Sequence, residues 1–104
     1  MEFLAIISKV QTALSLLQVV KPMLGENEKY ADVVADVVGK ALSGAKFGAD
    51  GYLILINELD GVIEDLEAVK ARGGLSGDNF RHEIGQIETR GAVLDSIKDR
   101  LTGG

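Results

Sequence analysis

Paired valines recur every four residues in Asp32-Val33-Val34-Ala35-Asp36-Val37-Val38, a pattern that a half-buried strand cannot use. Side chains in a strand alternate faces with a period of two, so adjacent valines would point to opposite sides. On a helix of 3.6 residues per turn the same pairs stack on one face. The same steps of three and four run from Tyr52 through Leu59, Val62, Ile63 and Leu66 to Val69. They recur through Phe80, Ile84, Ile87, Gly91, Leu94 and Leu101, with Lys98 filling one slot. The period therefore predicts an all-α fold, although valine is a mediocre helix former.

Four helices follow, at about residues 2–21, 27–43, 50–71 and 77–101. A wheel places Phe3, Ile7, Val10, Leu14, Leu17 and Leu24 of the first in one apolar arc, widened by Ile6, Ala13 and Val20. The opposite side holds Ser8, Gln11, Thr12, Ser15 and Gln18, polar but uncharged, with Leu4, Leu16 and Val19 among them. Pro22 lacks the N–H that a helix interior needs, so the helix stops near Val20, with Gly25 as a C-terminal cap. Glu26, Asn27 and Glu28 supply caps and negative charge to the second helix.

Residues 39–51 contain four glycines and predict a turn near 44–49, either a hinge or a close approach of two backbones through Gly44, Ala45 and Gly48. Asp50 is the expected cap of the third helix, whose opening run Tyr52-Leu53-Ile54-Leu55-Ile56 also fits a short buried strand. Gly73 and Gly74 end that helix. Ser76 or Asp78 caps the fourth, whose seam is heptad-like.

The short turn between the last two helices predicts a long antiparallel hairpin within an up-down four-helix bundle. The alternative is three helices plus an arm. At 104 residues the chain is expected to be a single helical domain spanning 1–104, with a core of Val, Leu, Ile and Ala because only 5% of its residues are aromatic.

The chain lacks cysteine, which excludes disulfides, thiolate zinc sites and cysteine nucleophiles. Net charge is −5, and residues 53–104 carry ten acids against six bases. Without a basic stripe, direct nucleic-acid binding is not expected. The amino-terminal segment has no positive n-region, and Gln11, Thr12, Ser15 and Gln18 interrupt it, so the sequence predicts neither a signal peptide nor a membrane span, and a cytoplasmic location.

Five carboxylates, Glu58, Asp60, Glu64, Asp65 and Glu67, crowd ten residues of the third helix and flank its apolar seam on both sides. They are expected to face Arg81 and Arg90 of the neighbouring helix or a basic partner, or simply to form a solvated face. His82-Glu83 opens like the helical zinc-protease motif, but Gln86 stands where the second histidine belongs. His82 is expected in solvent. No phosphate-binding glycine loop occurs, and Gly85 and Gly91 inside the fourth helix suggest either close packing of a neighbour or a tolerated weakness of the helix. Gly61 is placed outside the seam of the third helix.

No nucleophile, base and orienting group can be nominated together, so the sequence predicts no enzyme, no cofactor, no metal and no catalytic residue. The expected function is a non-enzymatic assembly or adaptor subunit that oligomerises or binds a protein partner. Its expected contact residues are Leu4, Leu16, Val19, Tyr52, Leu53, Ile54, Glu58, Asp60, Glu64 and Glu67. The alternatives are an acidic inhibitor of a basic site and a peripheral membrane protein, the latter disfavoured because Lys9 and Lys21 are the only bases on the first helix. In composition the chain resembles small helical phage assembly and accessory factors, with no motif behind the resemblance.

Overall fold

The computed structural model describes residues 2–44, 52–75 and 77–101. Every regular element among them is a helix: α1 Glu2–Val20, α2 Lys29–Gly44, α3 Tyr52–Arg72 and α4 Gly77–Leu101. The all-α expectation holds, and the opening run of α3 is helix rather than strand. The expected turn at 45–49 and the caps Asp50 and Ser76 lie outside the described residues. So do the side chains of Phe3, Tyr52, Asp78, Lys98 and Leu101.

α1 stops where Pro22 removes a backbone donor, and the chain descends through two 3-10 turns, Lys21–Met23 and Gly25–Asn27. Gly25 adopts a left-handed φ of 54°, which costs glycine nothing. Asn27, expected as a helix cap, sends its side-chain amide across the molecule to the Leu75 carbonyl at 2.9 Å. That bond ties the α1–α2 connection to the end of α3. α3 closes with the N–H of Gly73 donating to the Lys70 carbonyl and that of Gly74 to the Val69 carbonyl, both at 3.1 Å. This is the Schellman arrangement, made possible by positive φ at both glycines. A side chain at 74 would collide with the Met23 carbonyl, so glycine there also lets the two connections touch.

One apolar cluster draws on all four helices. α2 contributes Tyr30, Val34, Val37, Val38 and Ala41, and α3 contributes Leu55, Leu59, Val62, Leu66 and Val69. α4 adds Ile87 and Leu94. Each fully buried aliphatic side chain contributes about 1.5–3 kcal/mol through loss of water contact.

α1 is turned from its expected setting. Ile6, Ala13 and Val20, placed at the edge of the arc by the wheel, are fully buried, whereas Leu14 is 40% exposed and Ile7 half-buried. Small Ala13 at the centre of the buried stripe admits a closer neighbour than Leu14 would, and the spacing of packed helices follows the side chains at the contact.

The most extensive packing joins α1 to α3 and α2 to α4. The expected hairpin partners α3 and α4 meet over a smaller surface, and much of what they share is polar: Arg72 with Glu83, and Arg90 with Glu58 and Asp65.

Candidate functional site

Three of the five carboxylates of the acid-rich segment of α3 are engaged in ion pairs within the molecule. The Arg90 guanidinium of α4 lies between two of its carboxylates, 3.1 Å from Asp65 and 3.5 Å from Glu58. It crosses α3 directly over Gly61, where a β-carbon would occupy the space of the guanidinium. Gly61 lies outside the apolar seam yet is buried: a glycine is needed there because a charged head group packs on the backbone. Asp60 pairs with Lys9 of α1. Glu64 and Glu67 are exposed without an ion-pair partner among the described residues, while Asp60 keeps 47% of its side chain open but is engaged by Lys9, so the uncommitted acidic surface is reduced to Glu64 and Glu67.

A second polar cluster was hidden in the pattern. Glu83 is 3% exposed and meets Arg72 at 3.4 Å. Its Oε2 and the hydroxyl of fully buried Tyr30 have no hydrogen-bond partner among the described residues. Burial, and then the negative charges of Glu83 and Asp65, push the Tyr30 phenol above its ordinary value, with Arg90 opposing. Glu83 falls about 20° from Leu94 on a helical wheel, and that position was the one signal of its burial.

Exposed apolar side chains are concentrated on two of the four helices. Seven large ones are exposed among the described residues, and Leu4, Leu14, Val19 and Met23 belong to α1 and the turn that follows it. Leu53, 70% exposed, and Ile54 open α3, and Val93 stands alone on α4. Lys9 and Asp60 are 51 positions apart, as are Met23 and Gly74, which also touch. By that offset Leu4 lies level with Leu55, beside Leu53 and Ile54. Three of the expected contact positions, Leu4, Leu53 and Ile54, are thus brought to one end of the molecule. Leu16 instead packs partly against the core.

Between these apolar side chains α1 exposes Ser8, Gln11, Thr12, Ser15 and Gln18. Thr12 satisfies its hydroxyl by donating to the Ser8 carbonyl at 3.0 Å. From Val10 to Val20 the helix carries no charge. By length and mean hydropathy, 1.3 over Leu4–Met23, α1 would suffice to cross a membrane; 28% of that segment is buried.

Two other depressions are polar. One, along α4, is lined by Glu58, Arg81, His82, Gln86 and Arg90, and its His82 is exposed as expected. The other lies between α2 and α4, where Asp32, Asp36, Glu88 and Asp95 surround Val33, Val37 and Gly91. There Lys40 bridges Asp36 and Asp95, and the hydrogen bond it donates to Asp95 holds its ammonium above the usual pKa. Gly91 is close-packed, its would-be β-carbon 3.3 Å from Val37, whereas Gly85 faces open space. No group of three or more His, Asp or Glu side chains suited to a metal ion occurs among the described residues. No protein-family model, curated protein or solved structure matches this chain.

Proposed function

We propose that the chain is a non-enzymatic protein-interaction module, an assembly or adaptor subunit whose docking face is the outward side of α1 together with the head of α3. The observation that carries this reading is the segregation of exposed apolar surface. Among the described residues, six of the seven exposed large apolar side chains lie on α1, its following turn and the start of α3, while α2 and α4 present mostly polar groups to solvent. Scattered apolar side chains need no explanation, but a grouped set marks a surface that another body covers.

The fold reading that goes with it is an up-down bundle with α3 and α4 antiparallel. Its support is in the ion pairs: as the α3 position falls from Arg72 to Asp65, its α4 partner rises from Glu83 to Arg90. On α2 and α4 the contacts Val37 with Gly91 and Lys40 with Asp95 rise together, as that order requires.

A photo-crosslinking residue at Leu14, compared with one at exposed Gln86 on α4, tests the docking face in the chain's native cells. Protein adducts at position 14, absent at position 86, are expected. Equal yields at both, or none at 14, would refute the reading.

A further inference from the structure

The rotation of α1 sets a second seam outward. Leu4, Ile7, Gln11, Leu14 and Gln18 follow one another at steps of four and three, the spacing by which two helices interlock side chains. All are exposed except Ile7, which is half-buried. Ser8 and Ser15 flank this seam on the solvent side, small enough to admit a close neighbour. An unpartnered seam does not name its occupant. Charge does.

Fifteen of the sixteen carboxylates lie at Glu26 or beyond, and the chain carries −5 overall. In a two-fold dimer each patch meets its own copy. A pair formed through the α2–α4 groove would set Asp32, Glu88 and their counterparts together, and one through the outer edge of α3 would oppose Glu64 and Glu67 with themselves. The α1 seam has no carboxylate; of the two cations of this segment, Lys9 sits on the far side of the helix and is held by Asp60, and Lys21 stands just past the end of the seam beyond Gln18. It is where two anionic copies approach without like-charge contact. A basic partner would find nothing on it to recognise. Gln11, at the middle of the seam, donates and accepts through one amide and so pairs with its own counterpart across the axis. Polar residues at such positions fix the register of paired helices.

A lipid surface suits the seam less well. The side chains Ile6, Val10, Ala13, Leu17 and Val20, which give α1 much of its hydropathy, are buried in the core, so insertion would dismantle the fold. Resting on the docking face proposed above, we infer that its occupant is a second copy of this chain, the two α1 helices packing about a two-fold axis at Gln11.

Light scattering of the full chain across a concentration series tests this. The expected mass approaches twice 11.0 kDa as concentration rises. Gln11→Glu sets two carboxylates on the axis and weakens the dimer about tenfold or more at neutral pH, with recovery at pH 4 as the carboxyls protonate. Gln86→Glu, the same change on α4, leaves the dimer intact, and circular dichroism checks that both variants stay helical. Leu14→Ser also gives monomer. A monomer at every concentration, or equal loss in Gln11→Glu and Gln86→Glu, would overturn the inference. So would monomeric protein that co-sediments with phosphatidylserine vesicles through Leu14. If position 14 crosslinks a different protein while the purified chain stays monomeric, the docking face stands and the second copy is ruled out.

Discussion

The guanidinium of Arg90 on α4 lies where a β-carbon on residue 61 of α3 would be, so glycine at one position and arginine at the other depend on each other. Gly61→Ala must push the guanidinium away from Glu58 and Asp65, and overpacking of this kind costs about 1–3 kcal/mol. Gly85 and Gly39 have nothing within reach of an added methyl group. Alanine there is expected to stabilise by about 1 kcal/mol through helix propensity. Urea unfolding of the three variants measures the contrast, and a Gly61→Ala protein as stable as Gly85→Ala would contradict the packing.

The ion pairs around Arg90 make a separate prediction. Glu58 and Asp65 are 15% and 13% exposed at their side chains, so Arg90→Met leaves two poorly solvated carboxylates without a counter-charge. The cost is about 2–3 kcal/mol, less than the 3–5 typical of fully buried pairs because water still reaches these groups. Adding Glu58→Gln and Asp65→Asn to Arg90→Met removes the stranded charges and recovers most of the loss. Thermal unfolding of the single and triple variants checks the order.

Tyr30 predicts behaviour at high pH. Its phenol is held protonated in the fold, chiefly by burial, while in the unfolded chain it ionises near its ordinary value of about 10. Below that value both states carry the proton and pH has no effect through this group. Above it the unfolded state releases the proton first, so stability falls as pH rises. Unfolding between pH 8 and pH 11 is expected to show this decline in the parent chain and a shallower one in Tyr30→Phe. Because the hydroxyl has no partner among the described residues, the phenylalanine variant is also expected to be no less stable at pH 7.

The setting of α1 is tested by two leucines three residues apart. Leu17 is 8% exposed and Leu14 40%. At a concentration low enough to keep the chain monomeric, Leu17→Ala should cost about 2–5 kcal/mol by emptying core volume, and Leu14→Ala should stay within about 0.5 kcal/mol of the parent, as exposed positions do. Equal losses would return the buried face to the arc expected from the wheel.

Helicity was legible because every helix carries its own three-and-four spacing, and the ends were legible at Pro22, Gly25, Gly73 and Gly74, where backbone chemistry allows few alternatives. The rotation of α1 was not. Ile6, Ile7, Ala13, Leu14 and Val20 make an apolar arc too wide for one neighbour, and a wheel does not say which part is covered. The acid-rich segment of α3 was visible, and Arg90 was among its expected partners, but the role of Gly61 depends on a side chain from another helix that no single-helix pattern contains. Glu83 and Tyr30 were missed as a pair for the same reason. Leu4, Val19, Leu53 and Ile54 were legible as exposed apolar positions, since each interrupts an otherwise polar stretch or opens a helix ahead of its buried stripe.

Since the chain has no cysteine, a single introduced thiol reports on its own position alone. Gln11→Cys, placed on the proposed two-fold axis, is expected to form an interchain disulfide rapidly under mild oxidation, giving a covalent species of about twice the chain mass, whereas Gln86→Cys stays largely monomeric. Cross-linking of the two variants at the same slow rate would contradict a second copy on α1.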